Sequence, residues 1–266
     1  MDKPSVKTEI RDLDPAWDAA GGGRIAYLTI ANEARLNCLS TSLIKALRAG
    51  FEDLEQRDDI RAIVLTGAGA KSFVGGADLN ELGGLDHDGG RLYITNLHKA
   101  CLAIRNSPHP VIARVNGFCL GAGLEVAASC DMRVASSAAV FGMPEVHMGL
   151  PSVIEAALLP GLIGWGKTRE ILITGDTFGA DEAFAMQFVQ KKAAPDKLDG
   201  AVDGWLRSIC RAAPMAVRNQ KALMNQWEKT SIQEGVYAGI DAIAEAYDTG
   251  EPQARIAEFF SAKQQR

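Results

Sequence analysis

Residues 117–131 read "GFCLGAGLEVAASCD", and before Asp131 the stretch carries one charged side chain, Glu125. Gly121, Ala122, Gly123, Leu124, Val126, Ala127 and Ala128 surround it, all small or apolar. The Gly-Ala-Gly step reads as a tight turn opening a short buried helix. Upstream lies an apolar strand, "VIARVNG" (111–117), and downstream another, "MRVAS" (132–136). A strand, a turn into a buried helix and a second strand make one unit of an α/β fold. Burial without a nearby cation raises the pKa of a carboxyl group. The stretch therefore also poses a chemical question, namely what an acid does in so dry a place.

The pattern continues outward. "RIAYLTIAN" (24–32) reads as a strand after the Gly21-Gly22-Gly23 turn, and "IRAIVLTG" (60–67) as another. "STSLIKALRAGFEDLEQRD" (40–58) places Leu43, Leu47, Phe51 and Leu54 on one helical face behind Ser or Thr caps. "RLYITNLHKACLAIRNS" (91–107) predicts a helix stopped by Pro108 and Pro110, and "SVIEAALLP" (152–160) a helix ending at Pro160. From about residue 196 long helical segments dominate. The expected division is an α/β core over 1–195 and a helical region over 196–266. In that region Ile232, Val236, Ile240, Ile243 and Tyr247 form an apolar stripe at helical spacing.

Composition narrows the function classes. The 266-residue chain has a net charge of −5 and no polybasic run, which argues against a nucleic-acid partner. Five cysteines without a CxxC pair read as reduced thiols of a cytoplasmic protein. The longest apolar run, 111–130, is broken by Arg114, Asn116 and Glu125, so no membrane span is expected. "GLIGWGKT" (161–168) spells a phosphate-binding loop, but no strand precedes it, and the match reads as accidental. "DHDGG" (86–90) lacks the later ligands of a calcium loop and reads as a surface turn. The four histidines read as solvated or packed, and no metal site is expected.

Three segments carry the chemistry. "SFVGGADL" (72–79) is a Gly-rich loop leading into a helix at about Ala77. The opening stretch supplies a second such loop, and "FGMPEVHMGLP" (141–151) places Glu145 in a third. Free N–H groups where helices begin favour negative charge, and one from each Gly-rich loop could hold a single oxyanion. Two carboxyl groups of raised pKa beside it could pass protons. The blander reading, that the loops are turns and the glutamates caps, stays open on the residues alone.

"NGFCLGAGLEVAASCD", "KSFVGGADLNEL", "FGMPEVHMGL" and "ITGDTFGADEAFAMQFV", in this order and spacing, closely resemble the crotonase, or enoyl-CoA hydratase/isomerase, superfamily. The resemblance implies a spiral of ββα units followed by a helical trimerisation region, with trimers often pairing into hexamers. It implies an acyl-CoA thioester substrate and no separate cofactor, since CoA is part of the substrate. It gives Ala77 and Ala122 as the N–H donors to the thioester oxygen, Glu125 as the base toward water and Glu145 as the group exchanging the proton at Cα. Gly76, Asp78, Leu79 and Gly121 would line the substrate, and Arg35 would lie near the CoA phosphates. A 2-enoyl-CoA hydratase is the leading expectation. An isomerase or other acyl-CoA lyase of the same fold, or a non-catalytic acyl-CoA-binding scaffold, are the alternatives. The chain departs from the family where Ser152-Val153-Ile154-Glu155 replaces a Gly-rich stretch, which introduces a third carboxylate of unknown placement.

Overall fold

The computed structural model describes residues 3–17 and 22–264. Gly21, where the predicted 21–23 turn begins, lies outside the described residues. In chain order the strands and helices are β1 (Ser5–Asp12), β2 (Arg24–Ala31), α1 (Thr41–Glu55), β3 (Ile60–Gly67), β4 (Ser72–Val74), α2 (Leu79–Leu82), α3 (His87–Asn106), β5 (Val111–Val115), β6 (Phe118–Leu120) and α4 (Ala122–Ala128). There follow β7 (Met132–Ser136), β8 (Val140–Gly142), α5 (Leu159–Thr174), β9 (Thr177–Gly179), α6 (Ala180–Ala185), β10 (Lys191–Ala193), α7 (Leu198–Arg211), α8 (Pro214–Trp227), α9 (Ile232–Asp248) and α10 (Glu251–Gln264).

Two sheets form. The larger has the order β1-β2-β3-β5-β7-β10, parallel except for the β1–β2 pair. The smaller has the order β4-β6-β8-β9, parallel except for β8–β9. Successive strand pairs, β3–β4, β5–β6 and β7–β8, each place one strand in the large sheet and the next in the small one. This alternation is the spiral expected from the resemblance.

The large sheet is covered on both faces, and its strands alternate between them with period two. Ala26, Leu28, Ile30, Ile63 and Leu65 face the cluster built with α1 and α3. Ile25, Ala62, Val64, Ile112 and Val134 face Leu198, Val202, Leu206 and Cys210 of α7. Helix α7 is thus packed on the sheet. The stripe on α9 is exposed, with Ile232 90%, Val236 59% and Ile243 63% accessible. Phe259 and Phe260 of α10 are exposed as well. Among the described residues no helix is long and apolar enough to cross a membrane.

Several elements differ from expectation. α3 begins at His87, because the Asp86 carboxylate caps it by accepting from the Gly89 N–H at 2.8 Å; "DHDGG" is thus a helix start. The helix after the first Gly-rich loop starts at Leu79, capped by Asp78, and Ala77 precedes it. Residues 154–158 form a 3₁₀ turn, and α5 starts at Leu159 and runs through Pro160, which is tolerated in the first turn. The segment 161–168 lies inside α5, kinked at Gly164, and Lys167 is engaged by Glu170 at 2.8 Å and Glu182 at 2.7 Å. That is no phosphate loop.

The small sheet and α4 meet at Gly123, where an added Cβ would stand 2.2 Å from the Val74 carbonyl oxygen. The obstacle is backbone and cannot rotate away. Gly123→Ala is expected to cost at least about 3 kcal/mol, the upper range for overpacking. Urea unfolding checks this, and a midpoint equal to the parent's would show that α4 can shift freely.

Candidate active site

Parallel pairing of β4 with β6 sets Ser72 opposite Phe118 and Val74 opposite Cys119. The chain therefore leaves both strands at the same edge, and Gly75–Asp78 and Gly121–Ala122 lie side by side. Leu39 N–H donates to the Gly76 carbonyl and Asp78 N–H to the Leu39 carbonyl, which turns the intervening Ala77 N–H away from this ladder. Ala122 is the first residue of α4, so its N–H lies ahead of the helical hydrogen bonds. Among the described residues neither N–H has an acceptor within the chain. Both face cavity: Ala77 and Ala122 line a cleft of about 600 Å³ and an adjoining one of about 660 Å³. α4 has seven residues, so individual N–H groups rather than a long helix dipole dominate the field there.

The first cleft is lined by Arg35, Gly76, Asp78, Leu79, Gly121 and Glu145. Arg35 Nη1 lies 3.0 Å from Asp78 Oδ2. Burial opposes ionisation of Asp78, but hydrogen bonds from Asn80 and the Arg35 guanidinium outweigh it and hold the carboxyl below its ordinary range. The second cleft is mostly apolar, with Tyr93, Ile94, Leu97 and Val153 in its wall beside Glu125 and Glu145. The Tyr93 hydroxyl is spent on the Leu39 carbonyl. The two clefts share Ala77, Ala122 and Glu145.

Both predicted glutamates line these clefts, Glu145 where the two meet and Glu125 in the second. Glu125 is only 4% exposed, and its Oε1 accepts from the Ala156 N–H at 3.3 Å. Burial chiefly, then the nearby Glu145 carboxylate, raises its pKa from an ordinary 4.5 to about 9, against the weak opposing hydrogen bond from Ala156. Glu145 is half-buried, and Ser152 Oγ donates to its Oε2 at 2.8 Å. Gly121 makes room for it: the residue has φ of +50°, and a Cβ there would stand 2.4 Å from Glu145 Oε1.

Sequence reasoning missed several contributors. Asn37 is fully buried and ties its loop to the carbonyls of Ala68 and Ser72. Asn116 does the same for Gly67, Gly69 and Ser72. Asn116 directly follows β5, the one local signal for it, while Asn37 lies in the loop between β2 and α1 and nothing local marks it. His98, read as merely solvated or packed, lies 2.8 Å from Glu155. Among the described residues no group of three or more His, Cys, Asp or Glu side chains is placed to hold a metal ion.

Comparison with known proteins gives the family. The model of the enoyl-CoA hydratase/isomerase family matches residues 21–264. The chain belongs to this family. It is 34% identical over 228 residues to a short-chain-enoyl-CoA hydratase of Clostridium acetobutylicum, covering 85% of this chain and 87% of that one. It is 33% identical over 227 residues to a crotonyl-CoA hydratase of Syntrophomonas wolfei, covering 85% and 87%. The solved enoyl-CoA hydratase of Mycobacterium smegmatis superimposes with a TM-score of 0.89 at 26% identity, covering 98% and 97%.

The raised pKa of Glu125 has a consequence for stability. Between about 4.5 and about 9 the folded state keeps a proton that the unfolded chain has released. The stabilisation is complete below that window and is lost as pH rises through it. Glu125→Gln removes the dependence. Its melting temperature should exceed the parent's at about pH 8 and match it at about pH 5. A parent as stable as the variant at the higher pH would contradict a desolvated Glu125.

Proposed function

We propose that the protein catalyses the reversible addition of water to a 2-enoyl-CoA thioester. The observation that carries the reading is the placing of two carboxyl groups beside two uncommitted N–H groups at the junction of two clefts. A CoA arm lies along the cleft of Arg35, Asp78 and Leu79, and the acyl chain enters the apolar cleft of Ile94, Leu97 and Val153. The thioester oxygen accepts from the N–H groups of Ala77 and Ala122. Glu125 takes a proton from water as the water oxygen bonds to Cβ. The π electrons move toward the thioester, whose oxygen gains charge between the two donors. Glu145 delivers a proton to Cα, and the enolate collapses to the 3-hydroxyacyl thioester. The product gains its hydroxyl from water and its Cα proton from Glu145. The proton left on Glu125 returns to Glu145 by exchange before the next turnover, so the net addition is one water and the reaction so written needs no cofactor.

The two glutamates exchange roles with direction. Before substrate binds, burial favours the proton on Glu125, while the hydroxyl of Ser152 marks Glu145 Oε2 as an acceptor. That arrangement suits dehydration, in which Glu125 protonates the departing hydroxyl and Glu145 takes the Cα proton. Hydration starts from the opposite distribution. A dry carboxyl whose pKa is raised to about 9 holds its proton strongly enough to act as acid and, once deprotonated, is a strong enough base to take one back. An isomerase needs only one proton shuttle at carbon, so the presence of both carboxyl groups favours hydration. A non-catalytic binding scaffold would need neither.

Glu125→Gln and Glu145→Gln are each expected to lower kcat about 10²–10⁴-fold with CoA-thioester affinity nearly kept. The assay is loss of enone absorbance across enoyl-CoA thioesters of varied length and branching. Near-normal hydration by either variant would remove that residue from the mechanism. Loss confined to Glu125→Gln would favour an isomerase.

The five cysteines are all unpaired, and we place the protein in the cytoplasm on that ground. The apolar stripe on α9 and the exposed Phe259 and Phe260 on α10 favour a trimer or a dimer of trimers, since a patch of this extent is costly to leave in water. Light scattering at micromolar concentration should give a mass three or six times 28.4 kDa. A fully active monomer would refute the assembly.

A further inference from the structure

Glu155 stands where the sequence departs from its family, and no step above uses it. It is 6% exposed, on the 3₁₀ turn Ile154–Leu158. Its Oε1 lies 2.8 Å from Nδ1 of His98 on α3, a side chain 46% accessible. Its Oε2 is buried without a hydrogen-bond partner. The next residue, Ala156, supplies the one N–H that Glu125 accepts. The preceding residue, Ile154, is held at φ +39°, a left-handed conformation that a β-branched side chain adopts at a cost. A strained backbone step, an under-satisfied buried carboxylate and a hydrogen bond to the proposed base thus occupy three consecutive residues.

We propose that Glu155 and His98 form a clamp that positions Glu125: by tying the 154–158 turn to α3, the pair holds Ile154 in its strained conformation and aims the Ala156 N–H at the Glu125 carboxyl. An ionised carboxylate only accepts, so the imidazole carries its proton on Nδ1. The clamp also sets charge. The groups acting on Glu125 are Glu145 from the turn 144–148 and Glu155 from the clamp turn. From α3, besides His98, comes the Cys101 thiol, which burial and then the carboxylate of Glu155 keep neutral. Helix α5, also packed on the turn, brings no charged group to Glu125. The Glu155 charge favours a proton on Glu125, and removing it lowers the pH at which Glu125 ionises.

This inference rests on the hydratase reading for its kinetics, and a substrate-free readout separates the two. In difference infrared spectra the protonated-carboxyl band lost in Glu125→Gln is the band of Glu125. Titrated in Glu155→Gln, which keeps a hydrogen-bonding partner for His98 but no charge, the band should vanish at lower pH, by about 0.3 unit or more. His98→Ala, a change at a partly exposed helix position, should lower kcat about tenfold with KM altered less than about threefold, because the Glu125 carboxyl loses its aim. His98→Gln, which can donate to Glu155, should restore most of it. A band that titrates identically in parent and Glu155→Gln, or a His98→Ala enzyme with parental kcat, would overturn the clamp. A parent without hydratase activity would sink the hydratase reading instead, and the infrared titration would still decide whether Glu155 acts on Glu125.

Discussion

The start of α4 lies directly on the backbone of β4, and the contact exists because residue 123 has no side chain. With the Val74 carbonyl 2.2 Å from where a Cβ would stand, any other residue must push the helix off the small sheet. From this contact the site's layout follows. α4 emerges beside the loop that leaves β4, so the N–H groups of Ala77 and Ala122 open onto the same space. Its seven residues are all buried, so Glu125 in its first turn has no route to bulk water except through that space. The amides of Asn37 and Asn116 then hold the entering loops through backbone carbonyls, which fixes the strand ends without adding charge.

Charge elsewhere in the interior is treated differently. Arg133 is buried, yet its guanidinium is met by the carbonyls of Phe188, Ala127 and Cys130. Lys221 is buried against Asp131 at 2.8 Å and the His109 carbonyl at 2.9 Å. These groups are paired as buried charges in stable folds are. Glu125 has one long hydrogen bond from Ala156 and another carboxyl group for company. Folding alone would not select such a residue. A local rule broken without structural compensation marks where stability has been given up for chemistry.

What the sequence made legible divides along the same line. Glycines flanking a lone glutamate are visible because their type is itself unusual, and the two Gly-rich loops and both glutamates were found where the structure brings them together. Long strands and helices were legible through periodicity. β4, β6, β8, β9 and β10 have three residues each, too few for any period to register. β1 has the alternation Val6, Thr8, Ile10, but it lies in a polar N-terminal segment and forms by pairing with β2, a long-range contact. The His98–Glu155 pair spans 57 residues, and nothing local to either residue announces the other.

The two clefts meet only at Ala77, Ala122 and Glu145 and a few apolar neighbours, and this separates two kinds of variation. On the proposed reading, binding energy gathered along the Arg35 side is remote from the reacting carbons and can be used to place the thioester oxygen between the Ala77 and Ala122 N–H groups. Changes on the other side alter which acyl chain fits. The departure from the resembled family at Ser152-Val153-Ile154-Glu155 falls on that second side: Val153 lines the apolar cleft, Ser152 donates to Glu145, and Glu155 precedes Ala156, whose N–H Glu125 accepts. In a Gly-rich stretch the backbone would approach the acyl chain closely and the glutamates would have to be held by main-chain groups alone. Here side chains do part of the holding and occupy part of the space. On the proposed reading, acyl preference and proton handling are therefore coupled through four consecutive residues, while the positions of the Ala77 and Ala122 N–H groups are set separately, by the β4–β6 pairing and Gly123.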